Sequence, residues 1–107
     1  MSKILNANFF RMTNAIFFYG LTPDQFTVYS YLVSCAGSKD HCWPSTKTIS
    51  ACCHLSENTV RKAITALSDL HFIKKVQTTR YTRNGMPRRS NNRYYILDLP
   101  ELPHSRT

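Results

Sequence analysis

Residues 43–76 read WPSTKTISACCHLSENTVRKAITALSDLHFIKKV, and this stretch constrains the fold more than any other. Ser45 and Ser56 each stand where a helix begins, and a serine oxygen at that place accepts a hydrogen bond from a free N–H group of the first turn. The first helix is short and the second longer, with a three-residue turn between them. In the longer helix Val60, Ala63, Ile64, Leu67 and Leu70 recur at three and four residues and form one apolar stripe. The opposite side carries Glu57, Asn58, Arg61, Lys62 and Thr65. In the shorter helix Ile49, Cys52 or Cys53, and then Leu55 in the turn, point inward, while Thr46, Lys47 and Thr48 occupy the exposed first turn.

The flanking segments complete the expected architecture. Thr22 caps an earlier helix with Pro23 at its first position and Gln25 closing a capping box. Phe26, Tyr29, Leu32, Val33 and Ala36 recur at helical spacing up to Gly37, the expected stop. Upstream, Thr13 caps a single turn, Asn14 to Phe18, and the apolar Phe9, Phe10, Ile16, Phe17 and Phe18 are expected to close the floor of the core, with a dimer contact as the alternative. Cys42 and Trp43 form a very short strand ended by Pro44. Downstream, Ile73 to Tyr81 reads as one strand and Arg93 to Leu99 as its return. Asn84-Gly85 supplies a turn, Pro87 widens it, and the tip from Arg83 to Ser90 is expected to be ordered by phosphates. The organisation expected is an extended arm at 1–12, a folded domain at 13–99 and a tail at 100–107, mainly α with a small antiparallel sheet.

Charge narrows the function. With 14 Lys and Arg against 6 Asp and Glu, the net charge is +8 in 107 residues, which favours a polyanionic partner, nucleic acid ahead of a membrane surface. No apolar run reaches the roughly 18–20 residues of a membrane span, so the expected location is cytoplasmic. Cys35, Cys42, Cys52 and Cys53 offer only an adjacent close pair, and His41, His54, His71 and His104 add no second pair at zinc spacing. The cysteines are therefore expected to be free thiols, with no metal and no cofactor. The acids are scattered and no Ser or Cys has an evident base partner, so no enzyme activity is expected.

Asn58, Arg61, Lys62 and Thr65 lie near one face, and they include the side chains best suited to base edges: Arg is bidentate to guanine, Asn to adenine. The first turn of the shorter helix, with Lys47, offers N–H groups and a positive dipole end to a phosphate. From Leu70 to Leu97 there are seven cations, Lys74, Lys75, Arg80, Arg83, Arg88, Arg89 and Arg93, and no acid. In LTPDQFTVYSYL, CWPSTKTISACCHLSENTVRKAITAL and SNNRYYIL, spanning about residues 14–97, the chain resembles the winged helix-turn-helix domains of phage and plasmid replication-initiation proteins and of small mobile-element regulators. The Ser-x-x-Thr-Val-Arg opening of the longer helix also resembles GntR-type repressors.

The resemblance implies a three-helix winged helix-turn-helix that binds double-stranded DNA, with base and phosphate contacts from Ser56, Asn58, Thr59 and Arg61 and with arginines of the wing on the flank. The full candidate set is Lys47, Ser56, Asn58, Thr59, Arg61, Lys62, Thr65, Arg80, Arg83, Arg88, Arg89 and Arg93. A homodimer is a possible further partner, because one recognition helix spans only a few base pairs. Such domains commonly have Gly after the second and third helices; here His54 and His71 stand there, a left-handed position that costs a non-Gly residue energy. A small transcriptional regulator is the leading expectation. An origin-binding or accessory replication protein is the second, and a protein-interaction module the third.

Overall fold

The computed structural model describes residues 10–100. Phe9, most of the expected arm and the expected tail beyond Pro100 lie outside these described residues. Three helices carry the domain: α1 at Pro23–Ala36, α2 at Thr46–Cys53 and α3 at Glu57–Asp69. A short 3-10 helix, Asn14–Phe18, precedes them, capped by Thr13. Five strands follow in chain order around and after the helices: β1 at His41–Cys42, β2 at Ile73–Val76, β3 at Thr79–Tyr81, β4 at Pro87–Arg89 and β5 at Arg93–Ile96. No helix among the described residues is long and apolar enough to cross a membrane.

Each α-helix begins as its first residues dictate. At α1, Gln25 N–H donates to Thr22 Oγ1 (3.2 Å) while Gln25 Oε1 accepts from Thr22 N–H (3.1 Å), a complete capping box. Helices α2 and α3 share one device: Thr48 N–H donates to Ser45 Oγ (3.0 Å) and Thr59 N–H to Ser56 Oγ (3.1 Å). At their ends His54 and His71 take φ of 58° and 66°, as expected from their replacement of Gly. His71 closes α3 with two bonds of a Schellman motif, Phe72 N–H to the Leu67 carbonyl (2.9 Å) and His71 N–H to the Ser68 carbonyl (3.1 Å). Leu55 N–H reaches back to the Ser50 carbonyl (3.2 Å), which makes the turn between α2 and α3 tight.

The core lies where the three helices meet the inner face of a sheet. Val28, Leu32, Ile49, Val60 and Leu67 are fully buried, joined by Phe72, Ile73 and Tyr94. The rings of Tyr19 and Tyr29 meet Phe72 edge-on at 5.2 and 5.5 Å, the favoured geometry for aromatic quadrupoles. Strand order is β1-β5-β2, all antiparallel, with Cys42 opposite Tyr94 and Tyr94 opposite Lys75. Alternation along β5 therefore sends Tyr94 into the core and Arg93 and Tyr95 to the outer face.

Several expectations are corrected. Val28, absent from the expected stripe of α1, is fully buried, whereas Phe26 and Val33 are only partly so. The first short strand is His41–Cys42, one residue earlier than Cys42–Trp43. Leu70 leaves the stripe of α3: it is the C-cap, where the helical path ends, and it is 45% exposed. Of the apolar cluster near the start, Ile16 is buried but Phe17 and Phe18 are each 73% exposed. A 3-10 helix has three residues per turn, so successive residues point 120° apart and one side chain takes the core-facing position.

The wing is divided where one strand was expected. The segment from Ile73 pairs with β5 only as far as Val76, and a separate two-stranded ribbon, β3 with β4, extends the tip. Gln77 and Thr78 make the joint: Ser90 N–H donates to the Thr78 carbonyl (3.0 Å) and Thr78 Oγ1 donates to the Asn91 carbonyl. The turn is wider than two residues, as expected, with residues 82–86 between β3 and β4, and Pro87 itself starts β4 opposite Tyr81; in a two-stranded ribbon its missing N–H can face solvent without loss. Gly85 takes φ of 79° in the tight turn that joins the two strands. The return strand ends at Ile96 rather than Leu99, and one further bond in the same register, from Leu97 N–H to the Phe72 carbonyl (3.1 Å), closes the ladder.

Candidate nucleic-acid interface

Burial divides α3 cleanly. Val60, Ala63, Ile64 and Leu67 are buried, and Asn58, Arg61, Lys62 and Thr65 are exposed on the opposite side. Arg61 Nη2 donates to Glu57 Oε1 at 3.3 Å, one helical turn back, with both side chains largely in solvent. Such a pair contributes only about 0.3–0.5 kcal/mol, against roughly 1–3 kcal/mol for a bidentate contact to guanine. A base edge therefore outcompetes Glu57 for this guanidinium. Ser56 and Thr59 are already engaged: Ser56 Oγ donates to Thr59 Oγ1 (2.9 Å) while accepting the Thr59 N–H. Their first task is the cap, and Thr59 is half-buried.

Beside this helix face lies a notch of about 470 Å³. Pro44, Ser45 and Thr46 form one wall, Arg61, Ile64 and Thr65 of α3 another, and Lys75, Gln77, Asn91 and Asn92 of the wing base the third. No carboxylate lines it. Tyr94 reaches the notch from the core side; burial pushes its phenol pKa up, so its Oη stays protonated. Asn92 Nδ2 donates to that oxygen at 3.5 Å. Lys47 is exposed on the first turn of α2, next to Thr46. Arg61 and Lys75 give the notch its cations and Ser45 and Thr46 bring the start of α2 to its rim, an arrangement suited to a phosphodiester.

The wing tip adds a different kind of positive charge. Arg80 and Arg88 stand directly opposite each other across β3 and β4, and Arg83 is exposed in the turn. Like charges opposed on a ladder are destabilising, and an isolated two-stranded ribbon is marginal in water. A polyanion alongside removes that repulsion. Arg89 is placed opposite Thr79 by the register of the ribbon. Arg93, grouped with these arginines from the sequence, lies elsewhere: its guanidinium sits 5.9 Å from the centroid of the Trp43 ring and Nη1 donates to Tyr95 Oη at 3.4 Å, on the outer sheet face.

A sequence profile described as the helix-turn-helix domain matches residues 19–73, from just before α1 to the first residue of β2. The chain belongs to this helix-turn-helix family. With the β-ribbon that follows, this member is a winged helix-turn-helix. Among solved structures it is similar to a possible transcriptional regulator from Methanosarcina mazei Go1, at 17% identity and a TM-score of 0.50, over 73% of this chain and 57% of that one. This likeness bears on the fold; the chain spans a little over half the length of that protein. No curated protein matches the chain.

The structure thus brings together Arg61 and Thr65 with the start of α2, and sets Asn58 and Lys62 on the same exposed helix side. Lys75, counted in the sequence only as one of the wing cations, joins them at the notch with Gln77, Asn91 and Asn92, which reading the sequence missed. Their place depends on the pairing of β2 with β5, which joins residues about 20 apart and leaves no local periodicity. The SNNRYYIL segment held the only signal, a pair of amides just before a strand.

Proposed function

We propose that this winged helix-turn-helix binds double-stranded DNA as a small transcriptional regulator, with α3 in the major groove and the ribbon β3–β4 along the flanking backbone. Asn58, Arg61, Lys62 and Thr65 read base edges. Lys47, the start of α2, Lys75 and the tip arginines Arg80, Arg83, Arg88 and Arg89 neutralise phosphates. The observation that carries this reading is the division of α3 into a buried side and an exposed polar side that opens directly onto an acid-free notch at the base of the wing. The similarity to the M. mazei protein, itself a possible transcriptional regulator, is in keeping with the same process.

The same surface would serve an origin-binding or accessory replication protein, in line with the resemblance to replication-initiation proteins. Selection of bound sites from a random DNA pool, followed by footprinting at two salt concentrations, tests the reading: a short enriched core with a protected backbone on either side is expected. No enrichment, together with binding that does not respond to salt, would favour a protein-interaction module instead. The location of the selected site, at a promoter or at an origin, assigns the process.

A second copy of the chain completes the unit in this proposal. Phe17 and Phe18 are each 73% exposed and Phe10 is 45% exposed; the segment before α1 is thereby left with apolar rings in water. One recognition helix contacts few base pairs, and two half-sites supply the missing affinity. Sedimentation of the protein on its selected site is expected to show two copies per duplex, and Phe17→Ser with Phe18→Ser to reduce this to one. Two copies persisting in the double variant would place the contact elsewhere.

A further inference from the structure

The outer face of the three-stranded sheet carries a cluster that the duplex reading leaves unused. Register sets His41, Tyr95 and Lys74 side by side across β1, β5 and β2, on the face opposite the buried Cys42 and Tyr94. The His41 ring stacks on Trp43 at 5.6 Å with 26° between planes, and it meets Tyr95 at 5.4 Å and 41°. Three aromatic rings are thus continuous. Lys39 Nζ and Arg93 Cζ stand 6.0 and 5.9 Å from the Trp43 centroid, the outer limit of cation–π attraction, so either cation is readily drawn to a stronger anion. Asp40 borders the cluster, its carboxylate held by His41 Nδ1 at 2.8 Å.

Trp43 is 51% exposed. A ring that only stapled β1 to the sheet would be covered by the residues it staples; here half of the largest π surface in the chain faces water beside two cations, Lys39 and Arg93. The depression next to it is about 280 Å³, at or below the roughly 300–1,000 Å³ of sites that enclose a small molecule. A flat ring would lie on it rather than inside it. The place is also continuous with the notch, for Asn91 Nδ2, at the notch wall, donates to the Trp43 carbonyl at 3.2 Å, and Pro44 borders both.

Exposed rings with interspersed cations are what an unpaired strand requires: bases stack on the rings and phosphates meet the cations. We propose that this face binds an unpaired DNA strand leaving the end of the duplex held at the notch, with Trp43 as the main stacking ring, His41 and Tyr95 extending it, and Lys39, Lys74 and Arg93 on the phosphates. This rests on the duplex reading, and it adds that the protein sits at junctions between paired and unpaired DNA.

Trp43 is the only tryptophan in the sequence, so its fluorescence reports on the site directly. Titration with an oligothymidylate of about 12 nucleotides, within the length range of stacking platforms, is expected to quench it in a saturable, salt-sensitive way, whereas a blunt duplex binds without comparable quenching. In anisotropy titrations an unpaired overhang should tighten duplex binding. Trp43→Leu should abolish most of that gain, about 5- to 150-fold for a lost stack, and leave blunt-duplex affinity unchanged; Trp43→Phe should keep most of the gain. Absence of quenching by oligothymidylate, equal losses on blunt and tailed duplexes, or tighter binding of a ribose strand than of the deoxyribose strand would overturn the proposal. Blunt-duplex binding with no contribution from the overhang isolates that failure; no blunt-duplex binding at all means the duplex reading itself has failed, and the proposal with it.

Discussion

Single residues carry costs that the rest of the fold offsets. His54 and His71 hold φ of 58° and 66°, where an L-residue loses roughly 1–2 kcal/mol and histidine somewhat less than most. Glycine at either place removes that strain but adds about 0.4–1 kcal/mol of unfolded-chain entropy. His54→Gly is therefore expected to raise the melting temperature by a few degrees, and His54→Val to lower it, both read by thermal denaturation. Cys42 shows the opposite balance, a thiol suited to its surroundings only when neutral. Burial, aided by the charge of Cys35, pushes its pKa from the ordinary 9.0 up to about 11, and its Sγ donates to the Leu32 carbonyl at 3.5 Å. The unfolded thiol releases its proton first, so this contribution to stability is present below pH 9 and is lost as pH rises through about 11. Denaturant melts across that window should show a steeper decline for the wild type than for Cys42→Ala, and alkylation at pH 8 should spare Cys42 while modifying the exposed Cys35 and Cys52.

At the scale of elements, what could be read in advance follows how local its causes are. Caps and 3.6-residue periodicity act within one or two turns, and α1, α2 and α3 begin at Pro23, Thr46 and Glu57, each one residue after its expected cap. The wing is governed by pairing between distant strands. Ile73–Tyr81 read as one strand because nothing in its composition marks the joint at Gln77–Thr78; the break is made by bonds to Ser90 and Asn91. Arg93 looked like one more wing cation, and only the alternation along β5 reveals that it faces Trp43. The ribbon itself supplies a test of its role. Arg80→Glu would place opposite charges across the Arg80–Arg88 pair, a change of about 0.2–1 kcal/mol in favour of the ribbon. Slower hydrogen exchange in the ribbon is expected together with weaker binding to every DNA sequence; unchanged affinity would mean that the tip does not lie along phosphates.

For the whole molecule, a net charge of +8 on 107 residues is tolerable because the cations are concentrated where a polyanion takes up the repulsion. Binding is expected to weaken linearly in log salt, by about 0.9 per phosphate neutralised. The central claim divides the work between two places: α3 distinguishes sequences and the wing does not. The most direct measurement compares Arg61→Ala with Arg88→Ala on the selected site and on a scrambled duplex, each across a salt series. Arg61→Ala should lose about 1–3 kcal/mol on the selected site and much less on the scrambled one, while Arg88→Ala should weaken both alike and reduce the salt slope by about one. Equal losses for the two variants on both duplexes would contradict the account.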